Sequence, residues 1–239
     1  MNIFRKKKII ITGHTGFKGS WLSCWLKNLG ADIYGISSYI PSQPSMYENL
    51  NKKIFEKEFD VDVRDKDKVI DIFTAIEPNF VFHLAAQPLV SISYENPIET
   101  ITTNSIGSMN VLEALKLLKK KTVAIFITSD KVYYNSEWTW GYREIDRLGG
   151  KDPYSASKAM AENIIYSYFN SYFKDTNIKI GIVRAGNVIG GGDWAKNRLI
   201  PDCMKAWSKN KKVYLRNPDS TRPWQHVLEA VWAYLNLAT

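Results

Sequence analysis

Residues 9–19 read IIITGHTGFKG. Three isoleucines and a threonine make a strand-like run, Gly13, Gly16 and Gly19 punctuate the turn after it, and a helical pattern opens at Ser20 and Trp21. Glycines are needed in such a turn because its backbone takes unusual angles. A pyrophosphate must also reach the main chain and the helix N-terminus with no Cβ in the way. The spacing G-x-x-G-x-x-G departs from the commoner G-x-G-x-x-G, yet after the first strand of a βαβ unit it serves the same purpose. Gly13, Thr15, Gly16, Phe17 and Gly19 are thus candidate contacts of a dinucleotide.

Outward from this turn, β-branched or aromatic runs alternate with longer helical patterns, the mark of parallel strands covered on both faces. Strands are expected at Lys7 to Thr12, Asp32 to Ser37, Phe55 to Val61, Phe80 to Leu84, Thr122 to Thr128 and Lys179 to Arg184. Helices are expected at Gly19 to Leu29, Lys66 to Ile76, Pro97 to Leu118 and Ser155 to Phe173. That order predicts an α/β fold with a doubly wound parallel sheet of the Rossmann type. After Arg184 the rhythm changes. The Gly190, Gly191, Gly192 loop precedes an apolar segment at Leu199 to Trp207, a short strand at Lys212 to Leu215 and a last helix from His226. The expected division is a dinucleotide-binding domain over residues 1–184 and a small, partial substrate lobe over residues 185–239, whose final helix returns to the first domain. The helical pattern from His226 runs to Thr239 with no capping residue or glycine after it, as in a piece of a longer chain.

With 239 residues, 45% of them hydrophobic, the chain can bury one substantial core. No run of about eighteen apolar residues is present, which argues for a soluble cytoplasmic protein. Cys24 and Cys203 lie far from each other and from any His at ligand spacing, so neither a disulfide framework nor a metal site is expected. The net charge of +8 gathers in clusters at Arg5 to Lys8, Lys116 to Lys121 and Lys209 to Lys212. None is interleaved with aromatics as a nucleic-acid platform would be, so they read as solvated faces.

The end of the second strand, Ser37-Ser38-Tyr39, offers neither an acid for a ribose 2′-hydroxyl nor an arginine for a 2′-phosphate, and so leaves NAD and NADP open. Asp62 and Val63 follow the third strand, where Asp62 either meets an adenine edge or caps the next helix. Ala85 and Ala86, at the tip of the fourth strand, are small enough for a cofactor to lie close. Tyr154 and Lys158 stand four apart at the start of a helix and share one face. A free tyrosine ionises at about pH 10 and an adjacent ammonium favours the phenolate. That equips Tyr154 as a base for a hydroxyl whose carbon loses hydride. Thr128-Ser129-Asp130-Lys131 closes the fifth strand at the carboxyl edge of the sheet, where such folds bind ligands. Ser129 is placed to hydrogen-bond a substrate oxygen, Asp130 to hold or deliver a proton, and Lys131 to act as a cation or base.

Longer stretches, among them T-G-H-T-G-F-K-G-S-W-L, F-H-L-A-A-Q-P-L-V, T-S-D-K-V-Y, D-P-Y-S-A-S-K, R-A-G-N-V-I-G-G-G-D-W, R-L-I-P-D and R-P-W-Q-H-V, resemble the extended short-chain dehydrogenase/reductases, and within them the nucleotide-sugar 4,6-dehydratases. The resemblance runs from Lys7 to the end of the chain. It implies NAD as cofactor, CDP-glucose as the favoured substrate and a homodimer paired through the helices Pro97 to Leu118 and Ser155 to Phe173. It also implies a redox-neutral elimination: Tyr154 takes the proton of the sugar 4-hydroxyl while hydride leaves C4, water departs across C5 and C6, and the hydride returns to C6. Asp130 would protonate the departing 6-hydroxyl, and Lys131 stands where a glutamate base is usual. Asn104 resembles a structural and proton-relay asparagine at the cofactor. Gln87, Asn187, Arg198, Leu199 and Arg222 fall at positions that meet the nucleotide sugar, where the planar fork of arginine suits a diphosphate. Two departures stand out: Tyr39 replaces the family's usual acid, and the family's chains run on well past position 239. The rival readings are a nucleotide-sugar epimerase or reductase that makes no use of Asp130 and Lys131, and a dinucleotide-binding module without catalysis.

Overall fold

The computed structural model describes residues 2–215 and 217–239. Six strands, β1 (Lys8–Thr12), β2 (Asp32–Ser37), β3 (Phe55–Asp60), β4 (Phe80–His83), β5 (Thr122–Ile127) and β6 (Ile178–Val183), form one parallel sheet in the order β3-β2-β1-β4-β5-β6. The chain winds from β1 to one edge, then restarts at β4 on the other side of β1. The carboxyl ends of β1 and β4 therefore flank the crevice where such sheets take ligands.

Because side chains alternate along a strand, each β-branched run feeds two cores. Ile9, Ile11, Ile33 and Phe82 point to one face, against Leu22 and Leu26 of α1 (Phe17–Asn28). Ile10, Ile36, Val81 and Phe126 point to the other. There they meet Phe73 of α2 (Lys66–Ile76), Leu115 of α5 (Gly107–Lys116) and Ile165 of α6 (Pro153–Tyr168). Two short helices, α3 (Val90–Glu95) and α4 (Pro97–Ile101), cross between β4 and α5. Beyond the sheet come β7 (Asn187–Ile189), α7 (Leu199–Trp207) and β8 (Trp224–His226), with β7 and β8 paired in parallel. The last helix, α8 (Val227–Leu237), returns to the sheet, where Val227, Val231, Tyr234 and Leu235 complete the first core. Its start is fixed by a capping box between His226 and Glu229.

The α/β, doubly wound reading holds, with element ends within two residues for most strands and helices. The helix expected from Pro97 to Leu118 is instead α4, a π turn at Thr102–Ile106, and α5. The wider turn lets Asn104 reach inward to Gln87 while Gly107 presses on Val63, where a Cβ would lie 2.7 Å from a Val63 methyl. The helix expected to end at Phe173 likewise closes in a π turn, Phe169–Phe173. The strand expected at Lys212 to Leu215 does not form, because the pairing partners of that region are β7 and β8, and Tyr214 is 90% exposed.

Candidate active site

At the end of β1 the chain turns through Gly13, whose φ of +73° belongs to the left-handed region that glycine alone takes without strain. A Cβ there would sit 2.7 Å from the Ala85 nitrogen, and one on Gly19 would sit 2.2 Å from the Gly13 carbonyl oxygen. The turn is thus pressed onto the tip of β4 and onto itself. Helix α1 begins at Phe17 with Gly16 as its N-cap, no side-chain cap and no acid in its first turn. Its first amides and the positive end of its dipole face the turn, a cradle for an anion.

From this cradle a cavity follows the carboxyl ends of the strands. One end is lined by Ser37, Ser38, Tyr39, Asp62, Val63 and Arg64, the middle by Thr15, Ala85, Ala86 and Gln87, and the other end by Thr128, Tyr154, Lys158, Gly192 and Arg198. Thr15 ties the first end to the turn: its hydroxyl pairs with Ser37 Oγ at 2.7 Å and donates to the Tyr39 carbonyl at 2.7 Å. Asp62 does not cap α2; Asp65 does, accepting from the Lys68 amide. Asp62 instead takes the Arg64 guanidinium on both oxygens, which holds its carboxyl below the usual carboxylate range.

Tyr154 and Lys158 open α6, one turn apart, and both are at least nine-tenths buried. Asp152 sets their phase, its carboxylate accepting from the Ser155 amide at 2.9 Å, and Pro153 occupies the first helical position, where its missing N–H costs nothing. Ser129 lies beside the Tyr154 phenol. Burial raises the pKa of the phenol above the ordinary value; Ser129 and the charge of Arg198 pull it back, while Asp130 and Asp152 push it up. The expectation that Lys158 favours the phenolate is therefore corrected. The Lys158 ammonium donates to the Ile127 carbonyl at 3.3 Å, and desolvation, with the charge of Lys18, brings it down to about 7. Ser129 and Arg198, not Lys158, offset the burial of the phenol.

One turn further along the same face, Glu162 is 2% exposed. It accepts from Thr128 Oγ1 at 2.6 Å and from Arg184 Nε at 2.9 Å, so it anchors the β5 tip next to Ser129. Asn104 stands behind the cavity rather than on its wall. Its side chain accepts from the Gln87 amide at 2.8 Å and donates to Ser157 Oγ at 2.8 Å. Asp130 and Lys131 lie in the short turn after β5, outside the cavity lining. Asp130 accepts from Ser129 Oγ at 3.0 Å, whereas Lys131 is exposed. Asn187 is on β7, Leu199 opens α7 and is 46% exposed, and Arg222 is exposed and donates to the Thr221 carbonyl. The structure thus gathers Gly13, Thr15, Gly16, Phe17, Gly19, Asp62, Val63, Ala85, Ala86, Gln87, Tyr154, Lys158 and Arg198 around one cavity. Ser129 joins it through Tyr154. Sequence reasoning missed Lys18, Arg64, Glu99 and Thr103, which also line it. Lys18 and Arg64 sit inside motifs already singled out, so position within the motif was the available signal; Glu99 and Thr103 had none.

The family described as GDP-mannose 4,6 dehydratase matches residues 10–239. The CDP-glucose 4,6-dehydratase of Salmonella typhimurium is 47% identical over 99% of this chain and 67% of its own length. Among solved structures, the UDP-glucose 4-epimerase of Thermotoga maritima superposes with a TM-score of 0.84 at 24% identity, covering 95% of this chain and 72% of that one. The UDP-glucose 4-epimerase of Thermus thermophilus, a complex with NAD, does so with a TM-score of 0.81 at 25% identity, over 97% and 74%. Sequence and sheet topology agree, and the chain belongs to the GDP-mannose 4,6 dehydratase family.

Proposed function

We propose that this chain binds NAD and converts CDP-glucose to CDP-4-keto-6-deoxyglucose. The observation that carries the reading is a buried phenol, Tyr154, beside Ser129 and facing the same cavity as the glycine turn. The 47% identity to a CDP-glucose 4,6-dehydratase supports the choice of substrate.

The residues fit the cofactor. Gly13, Gly16 and Gly19 leave the main chain bare where a diphosphate would lie; along the same cavity Asp62 and Val63 would hold the adenosine, Ala85 and Ala86 leave room between, and Tyr154 and Lys158 would hold the nicotinamide, with Asn104 behind. NAD, when bound there, would supply a hydride acceptor for C4 and a hydride donor for C6. Tyr154 takes the 4-hydroxyl proton, with Ser129 beside the phenol and Arg198 opposing its charge. Oxidation at C4 makes the C5 proton acidic. Asp130 protonates the departing 6-hydroxyl, and Lys131 stands at the position of the base that takes the C5 proton. Gln87, Asn187, Arg198, Leu199 and Arg222 hold the nucleotide sugar, the arginines by charge-assisted bonds to its diphosphate. In this reading residues 1–184 carry the cofactor and residues 185–239 part of the substrate lobe. A homodimer through α4, α5 and α6 is supported by Ile98 and Tyr166, 78% and 71% exposed there.

The exposure of Lys131 favours one rival, C4 epimerisation, which uses Tyr154 and Lys158 alone. Incubation of the chain and NAD with CDP-glucose, dTDP-glucose and UDP-glucose separates the two. The expected result is the alkali-sensitive chromophore of a 4-keto-6-deoxy sugar from CDP-glucose. Epimer without chromophore would give the rival the site, and no turnover of any of the three would end the enzymatic reading.

A further inference from the structure

His83, the last residue of β4, is 3% exposed and takes no part in the chemistry above, yet both its ring nitrogens are engaged. Nδ1 lies 2.7 Å from Thr12 Oγ1, and Nε2 lies 3.0 Å from Ser108 Oγ. Which nitrogen carries the proton follows from the neighbours. The Ser108 hydroxyl donates its one hydrogen to the Asn104 carbonyl at 2.7 Å, so toward His83 it can only accept. With the one proton of a neutral ring on Nε2, Nδ1 is left as an acceptor, and Thr12 Oγ1, which also accepts from the Ala85 amide at 3.2 Å, donates to it.

We propose that His83 is a positioning residue, a neutral imidazole with its proton on Nε2. In that form it fastens the tip of the glycine turn to the helix bearing Tyr154. The path is continuous and every donor has one acceptor. It runs from the Ala85 amide to Thr12, from Thr12 to His83, from His83 to Ser108, and from Ser108 to the π turn at Asn104. The Asn104 side chain donates on to Ser157, whose hydroxyl donates to the Tyr154 carbonyl at 2.7 Å. A cationic imidazole would turn Nδ1 into a donor and leave the Thr12 hydrogen without its acceptor. Burial lowers the His83 pKa to about 3, and the charge of Lys158 adds to that, in keeping with a neutral ring at pH 7. The ring is also held edge-on by Phe126, at a centroid distance of 5.3 Å.

The first test needs no ligand and is independent of the activity proposed above. In ¹⁵N-labelled protein, long-range ¹H–¹⁵N correlation reports the tautomer of each of the three histidines, with His14→Gln and His226→Gln supplying the assignment. His83 is expected as the neutral Nε2–H form, unchanged from about pH 8 down to about pH 5. An Nδ1–H tautomer, or a midpoint at the ordinary histidine value of about 6.5, overturns the proposal. The second test rests on the cofactor reading and uses NAD⁺ titration. His83→Gln keeps one acceptor and one donor and should bind within about twofold of the parent, whereas His83→Leu takes the acceptor from the Thr12 hydrogen and the donor from Ser108 and should bind about tenfold more weakly. Equal affinity in all three chains overturns the positioning role. The tautomer in the unaltered chain decides the matter if either variant fails to fold.

Discussion

The sheet and the segment beyond it treat apolar side chains in opposite ways. Ile9, Ile10 and Ile11 of β1 and Phe82 of β4 are fully buried, and α8, though last in the chain, packs among them. Between β7 and α8, Leu199, Met204, Trp207 and Tyr214 stand in water, Trp207 at 60% exposure. The difference teaches that the core lies at the sheet, with α8 returning from the last segment to complete it. The half that would meet the sugar nucleotide contributes arginines and apolar surface but little burial of its own.

If that division is sound, chemistry and stability should both be concentrated at the sheet. The largest effect is expected of Tyr154→Phe, which removes the phenolic oxygen and nothing else. Turnover of CDP-glucose should fall by about 10²- to 10⁴-fold while the Kd for NAD⁺ hardly moves. Arg222→Ala in the other region should raise KM and spare kcat. An equal loss of kcat in the two variants would erase the distinction.

Next in size is Phe82→Ala. The ring is fully buried between α1 and α8, so its removal should cost about 3–5 kcal/mol in urea unfolding. A loss below about 1 kcal/mol would mean the core is not shared as described.

A smaller and pH-dependent effect is expected of Lys158→Met. The folded pKa is about 7 against 10.5 for the free side chain, so between those values the unfolded chain binds a proton that the folded chain does not. Stability contributed by this site therefore rises with pH from about 7 toward 10.5, and below about 7 the cost of burying the ammonium is fully present. The Met variant should melt higher than the parent at pH 7, by a margin that shrinks toward pH 10, and should be inactive. A lower melting temperature at pH 7 would show that the bond to the Ile127 carbonyl outweighs desolvation.

These contrasts also mark what the sequence could reveal. The run IIITG and its counterparts specified the sheet because burial on both faces demands continuous apolar strands. The spacing of Tyr154 and Lys158 was legible because a helical turn separates them. The state of Tyr154 was not, since it depends on Ser129 and Arg198, brought in from β5 and α7 by tertiary packing. The π turn at Asn104 was hidden too, because a sequence pattern does not distinguish it from a continuous helix. In the second region Lys212 to Leu215 has strand-like residues but no partner to pair with, and pairing is a property of the neighbours.

The smallest effect belongs to that second region and bears on the comparison most directly. Trp207 ends α7 with most of its indole in water, so truncation removes little buried surface. Trp207→Ala should change unfolding free energy by no more than about 0.5 kcal/mol. The same substitution should reduce binding of a hydrophobic dye, because Trp207 shares its helix with the exposed Met204 and Leu199. A destabilisation approaching that of Phe82→Ala, with dye binding unchanged, would place Trp207 in a core of its own. The two halves would then differ in size and not in kind.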